Sequence, residues 1–242
     1  MTDRNTTREA VRRYHYASDR HVFERRCAFE ERVWRSAFSA RTDILLLALT
    51  SIHWREKWKY GERAFRWTPR IHFVLFVHRV NDVAPGLYLL PRDPRALDRL
   101  RAACRRDFLW ESVHEALPLL CLTRGDCRSL AARLSCDQDV AADGFFSLGM
   151  IADFDASLES YGASFYRNLF WEAGAVGQAL YLEAEAAGAR ATGIGCFYDD
   201  PVHDVLGLEG HEFQSLYHFT VGTPVDDARL TLEPGYAWEP TS

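Results

Sequence analysis

The sequence predicts an α+β (or α/β) fold in which helices pack on a mixed sheet. Three observations carry that expectation. Short apolar runs rich in β-branched residues alternate along the chain with longer segments of helical period. Ile71–Val80 is apolar on both parities, as a strand covered on both faces must be. Gln214–Val221 alternates apolar with polar residues, the pattern of a half-covered strand.

The elements follow in order. Val22–Phe38 has the amphipathic spacing of a helix, and Ile44–Ser51 reads as a short buried strand. After Ile71–Val80 comes a second strand, Leu87–Leu90, closed by Pro91. Pro94–Cys104 reads as a helix because Pro is tolerated in a first turn, where its missing N–H costs nothing. Leu117–Thr123 is expected as a strand, and Asp126–Ala142 and Leu148–Tyr161 as helices. Phe165–Ala187 is the longest helical pattern, ended by Gly188 in the C′ position.

An internal repeat bears on domain organisation. Tyr14-His15-Tyr16-x2-Asp19-x4-Glu24-Arg25 matches Tyr88-Leu89-Leu90-x2-Asp93-x4-Asp98-Arg99. Leu47-Ala48-Leu49-Thr50 matches Leu120-Cys121-Leu122-Thr123, and Tyr60-Gly61-x3-Phe65-Arg66 matches Tyr161-Gly162-x3-Tyr166-Arg167. Three matches in one order point to two related modules. They are unequal: a partial module over 1–67 and a longer domain over 68–242. The junction 65–70 passes from a helix end into a strand without a linker, as an internal deletion in a tandem-domain ancestor would leave it.

The 242 residues are 48% apolar and 26% charged, which excludes disordered, collagenous and low-complexity classes. The N-terminus is polar and arginine-rich, unlike a secretory signal, and the longest apolar stretch, Ile44–Leu49, falls far short of the ~20 residues of a membrane helix. A soluble, cytoplasmic protein with no membrane partner is expected. Residues 1–70 hold 16 Lys/Arg against 9 Asp/Glu, and residues 71–242 hold 13 against 25. The arginines of the basic half sit among acids in amphipathic patterns, so a solvated helix face is expected rather than a nucleic-acid site. Lys57 and Lys59 are the only lysines.

Cys27, Cys104, Cys121, Cys127, Cys136 and Cys196 show neither a CxxC pair nor the spacing of a disulfide framework, and are expected as small buried apolar residues. His72 and His78 lie about 20 Å apart along one strand, too far to share an ion, so no metal site is expected. Neither GxSxG nor a P-loop lysine motif is present.

Two stretches remain. Trp171–Leu182 is a helix carrying Gly174 and Gly177, each costing about 1 kcal/mol against Ala, so something must come close to its backbone. Packing against the sheet or a neighbouring helix explains this, and so does a planar cofactor or a dimer partner. Gly193-Ile194-Gly195-Cys196-Phe197-Tyr198-Asp199-Asp200 lacks the third glycine and the helix of a dinucleotide fingerprint. It reads either as a tight turn or as a place where a ligand approaches backbone N–H groups.

Together these stretches resemble a known family. Glu-Ala-Gly-x2-Gly-Gln-x-Leu-Tyr-Leu-x-Ala (172–184), Thr-Gly-Ile-Gly-Cys-Phe-Tyr-Asp-Asp (192–200), Leu-Gly-Leu (206–208) and Leu-Tyr-His-Phe-Thr-Val-Gly-x-Pro-Val-x-Asp-x-Arg-Leu (216–230) are similar to the C-terminal half of a nitroreductase-superfamily domain. The likeness is greatest to the SagB/thiazoline-oxidase-type dehydrogenases, and Thr50–Arg66 resembles the first copy of their tandem forms. The resemblance implies a nitroreductase-like mixed sheet flanked by helices, FMN at a dimer or pseudo-dimer interface, and hydride transfer. It implies that Gly193, Gly195 and Cys196 hold the flavin by their backbone, that Arg229 binds its phosphate, and that Lys59 and Tyr60 form an acid–base pair. Lys59 also fits a solvated helix charge.

The chain departs from the family in lacking an Arg-Arg-Ser-x-Arg-type phosphate segment; Arg35-Ser36-Ala37 is a poor substitute, and Ser160 stands where the second copy would need a lysine. Two functions are therefore expected to compete. One is an FMN-dependent oxidoreductase taking a small molecule or a modified peptide, converting azoline to azole, as a homodimer or with a peptide-maturation partner. The other is a cofactor-free relative serving as a binding or scaffold subunit, or a decayed remnant.

Overall fold

A computed structural model of the chain describes residues 67–113, 117–225, 229 and 231. The elements expected at Val22–Phe38 and Ile44–Ser51, and with them the first copy of the repeat and all of the 1–67 module but Trp67, lie outside these residues. Strands β1 (Ile71–Val77), β2 (Gly86–Leu90), β3 (Glu111–Ser112), β4 (Leu120–Arg124), β5 (Phe146–Asp153), β6 (Arg190–Ile194) and β7 (Phe213–Gly222) make one sheet. Their order is β3-β4-β2-β1-β5-β7-β6. The α+β class holds, and every pairing among the described strands is antiparallel, a narrower arrangement than the mixed sheet expected.

Helices α1 (Leu97–Ala103), α2 (Arg128–Leu134), α3 (Val140–Asp143), α4 (Phe154–Tyr161), α5 (Tyr166–Ala186) and α6 (Asp199–Leu206) cover the sheet. The double apolar parity of β1 explains its central place: all seven of its residues are buried. Ile71, Phe73, Leu75 and Val77 join Leu148, Met150 and Phe219 in the core beneath α5, through Leu169, Val176 and Leu180. Val74 and Phe76 face the other way, into a second core with Leu100 of α1, Leu134 of α2 and Val202 and Leu206 of α6. Alternation along a strand thus divides one apolar run between two layers.

Two expected helices are corrected. Leu148–Tyr161 is helical only from Phe154; its first part belongs to β5, which runs between β1 and β7. A short run that is apolar on both parities satisfies helical and strand spacing equally, and here two flanking strands decide the outcome. Asp126–Ala142 is not continuous: a corner at 135–139 separates α2 from α3, with Cys136 (φ +55°) and Asp137 (φ +56°) in left-handed conformations. The long helix ends as expected, with Gly188 at φ +74°. No helix among the described residues is long and apolar enough to cross a membrane.

The start of β1 is fastened by Glu172 on α5, buried to 3% exposure. Its carboxylate accepts from Trp67 Nε1 (2.9 Å), from the backbone N–H groups of Arg70 (3.0 Å) and Ile71 (3.1 Å), and from Arg92 Nη1 (2.5 Å). Beside it, Asp153 accepts from Arg70 (2.9 Å) and Arg99 (2.8 Å).

Candidate flavin-binding strap

β6 pairs with β7 so that Gly193 faces Phe219 and Ile194 faces His218. After the buried Ile194 the chain leaves the sheet as a strap, 195–198, and enters α6. Gly195 and Cys196 are exposed on it. Their peptide N–H groups meet no acceptor among the described residues.

The strap is held in four ways, to the corner between α2 and α3, to the end of α2 and to β7. Cys196 is joined to Cys136 by a disulfide with Cα atoms 5.9 Å apart. Gln138 Nε2 donates to the Cys196 carbonyl (3.1 Å) and to the Ser135 carbonyl (2.7 Å). The Tyr198 N–H donates to the Leu134 carbonyl (2.9 Å). Phe197 stacks on the His218 ring, 4.6 Å between centroids and 10° from parallel. His218 is itself buried, its Nδ1 3.2 Å from Ser135 Oγ and its Nε2 3.3 Å from Ser215 Oγ. Burial lowers its pKa to about 4, so the ring beneath the strap is neutral at physiological pH.

The disulfide corrects the expectation for Cys136 and Cys196, which are not buried apolar residues. Their sequence separation of 60 hides the pairing from any spacing rule, because the fold alone brings corner and strap together. Cys104, Cys121 and Cys127 are buried free thiols, as expected, and Cys27 lies outside the described residues.

Gly193 lies inside β6 and not in a turn. Its N–H donates to the Tyr181 hydroxyl of α5 (2.7 Å), and a Cβ there would collide with the Tyr217 hydroxyl and come within 3.0 Å of Tyr217 Cζ. Only glycine admits this approach of a phenol to the strand. Tyr217 is thereby pressed between β6 and α5, and burial beside Tyr181 raises its hydroxyl pKa. Of the two glycines in the long helix, Gly177 makes room for Phe219 (3.7 Å) and Tyr217, which is sheet packing, whereas Gly174 has nothing within 4 Å. Gly193→Ala is expected to destabilise the protein by about 1–3 kcal/mol through overpacking, with partial recovery in the Gly193→Ala/Tyr217→Phe double variant. Urea midpoints measure both, and a single variant as stable as the parent would refute the contact.

The other expected site residues divide. Arg229 is exposed in a turn beyond β7 and is engaged within the chain. Lys59 and Tyr60 lie outside the described residues. Tyr181 and Tyr217, which line the inner side of the strand, fall within the 172–184 and 216–230 motifs, but no local pattern in the sequence marks them as site residues. For the FMN that the resemblance implies, the strap offers two exposed N–H donors on a rigid support, which fits the edge of a planar ring bearing acceptor atoms.

Residues 86–223 match the family model described as the nitroreductase family. No curated protein matches the chain. A crystal structure from Anabaena variabilis assigned to the nitroreductases is similar at TM-score 0.56 and 22% identity, over 78% of this chain and 35% of its own. The E. coli microcin synthetase McbBCD complex, solved with truncated pro-MccB17 bound, is similar at TM-score 0.55 and 17% identity, over 78% of this chain and 66% of that one. The chain thus spans about a third of the first structure's length and less than two thirds of the second's. Those two likenesses concern the fold; the family match extends over more than half of the chain, from β2 to the end of β7, and includes the strap, so the chain belongs to the nitroreductase family.

Proposed function

We propose that the chain is an FMN-dependent oxidoreductase of the SagB/thiazoline-oxidase type, dehydrogenating an azoline in a modified peptide to an azole. The observation that carries this reading is the exposed strap, whose Gly195 and Cys196 amides are available as donors within the region matching the family. FMN, when bound, supplies the acceptor of a hydride equivalent. In this reading Gly195 and Cys196 hold and orient the ring edge, Gly193 keeps the strand close to Tyr217, and Arg229 binds the phosphate. Lys59, paired with its sequence neighbour Tyr60, takes the proton released from the substrate. A peptide as substrate, and a maturation partner or second copy that completes the site, are supported by the likeness to McbBCD, a complex solved with a truncated pro-peptide bound. A cytoplasmic location follows from the same reading.

A second reading, a cofactor-free binding or scaffold subunit, is favoured by a specific observation. The Gly193 amide is already taken by Tyr181 and its inner face is closed by Tyr217, while the chain has no Arg-Arg-Ser-x-Arg segment for a phosphate. The visible absorption spectrum of the purified protein, with mass spectrometry of any ligand released on denaturation, separates the two. Bound FMN is expected. Lys59→Ala and Tyr60→Phe are then each expected to abolish turnover while flavin remains bound. A colourless protein that stays empty after incubation with FMN would remove the flavin reading in favour of a cofactor-free subunit or a decayed remnant, and unchanged rates in both variants would remove the acid–base assignment.

A further inference from the structure

We infer that Cys136–Cys196 is a thiol–disulfide exchange site for dithiols, and that its reduction loosens the strap on the corner between α2 and α3. This goes beyond the flavin reading and stands without it.

Four observations meet here. One half of the bridge is accessible: Cys196 is exposed, while Cys136 is half-buried. The bridge closes on a corner in which Cys136 and Asp137 both have left-handed φ angles, a conformation costing each side-chain-bearing residue on the order of 1 kcal/mol. The remaining ties of the strap are a ring stack and single hydrogen bonds, each individually weak. Finally, Cys104, Cys121 and Cys127 remain free thiols, so among the described residues the bridge is not part of a framework that pairs every cysteine. An accessible bridge across a strained corner is the kind that exchanges readily.

The chemistry is a two-electron exchange. A dithiol thiolate attacks Cys196 Sγ, the S–S bond breaks, and Cys136 leaves as a thiolate that takes a proton from water. The second thiol of the reagent then attacks the mixed disulfide, releasing the Cys196 thiolate, which is protonated in turn, and a cyclic disulfide. The dithiol is oxidised by two electrons and the protein reduced by two. Without the bridge, Cys136 and Asp137 are free to leave the left-handed region, and the strap keeps only its stack and its hydrogen bonds.

Dithiothreitol buffers of graded redox composition, followed by iodoacetamide labelling of the native full-length chain and peptide mass mapping, test this. Cys136 and Cys196 are expected to be unlabelled in the oxidised protein and to become labelled together in one two-electron transition. Cys104, Cys121 and Cys127 should stay unlabelled until denaturant is added. Hydrogen exchange of the amides at 136–138 and 195–198 is expected to rise several-fold in the reduced protein and to return on reoxidation. Labelling of Cys136 and Cys196 without reductant would overturn the inference, as would a bridge that survives excess dithiothreitol in the folded state. Reduction with unchanged exchange at the strap would overturn its second half. The Cys136→Ser variant, which leaves Cys196 exposed, is expected to form a mixed disulfide with glutathione faster than Cys196→Ser, which leaves the half-buried thiol.

Discussion

Glu172→Gln is expected to lower the unfolding free energy by about 3–5 kcal/mol, the loss that follows when one member of a buried ionic network is removed. The Glu172 carboxylate is 4% exposed and accepts from four groups on two segments: the Trp67 indole and the N–H groups at 70 and 71 on one, and the Arg92 guanidinium on the other. A glutamine keeps the volume but turns one acceptor into an NH2 group facing donors, and it leaves the Arg92 charge without its counter-ion. Because Trp67 is one of the partners, its fluorescence should report the defect in the native state before global unfolding. Guanidinium titrations of the two proteins decide the matter. A difference below about 1 kcal/mol would mean that water or another acceptor replaces the carboxylate.

Acid is expected to destabilise the protein well above the range in which carboxylates titrate. His72 and His218 are both buried, and burial lowers each to about 4 from an ordinary value of 6.5. For His72 the Arg92 charge adds to the effect, and the backbone N–H of Arg92 donates to its Nδ1 at 3.2 Å, so the neutral ring carries its proton on Nε2. His78 is shifted in the same direction by burial. Between pH 6.5 and 4 the unfolded imidazoles take protons that the folded ones refuse, so unfolding takes up protons and stability rises with pH. The contribution is fully present above about pH 6.5 and is lost as pH falls towards 4. At about pH 5 the loss amounts to roughly 2 kcal/mol for each of the two rings. Urea midpoints at pH 7.5 and pH 5.0 check this, and His218→Gln should flatten the difference by about half. Equal midpoints at both pH values would show that the rings ionise without unfolding the protein.

What could be read from the sequence depended on how far away the deciding partner lay. β1 was legible because both of its faces are apolar, β7 because its residues alternate, and α5 because its pattern is long and ends at Gly188. β5 was not, since its own residues permit helix or strand and its neighbours β1 and β7 make the choice. Likewise Glu172 is legible only as part of a motif; its donors come from 67–71 and 92, which no local pattern connects to α5. At the site, the motif over 192–200 located the strap, but Gly193 proved to be strand and its need for glycine comes from Tyr217. The Cys136–Cys196 bridge is the plainest case, a contact made by the fold between segments that carry no spacing signal.

The strand order also bears on how quickly the molecule can be built. Its central ladders join Ile71 to Ala152 and Phe146 to Val221, partners roughly 80 residues apart, so large loops must close before the middle of the sheet can form. The short hairpin of β1 and β2 is the one local pairing at the centre, and it supplies a template on which β5 and then β7 must be captured. Until that capture, β1 presents an unpaired, apolar edge, and refolding should therefore compete with aggregation as protein concentration rises.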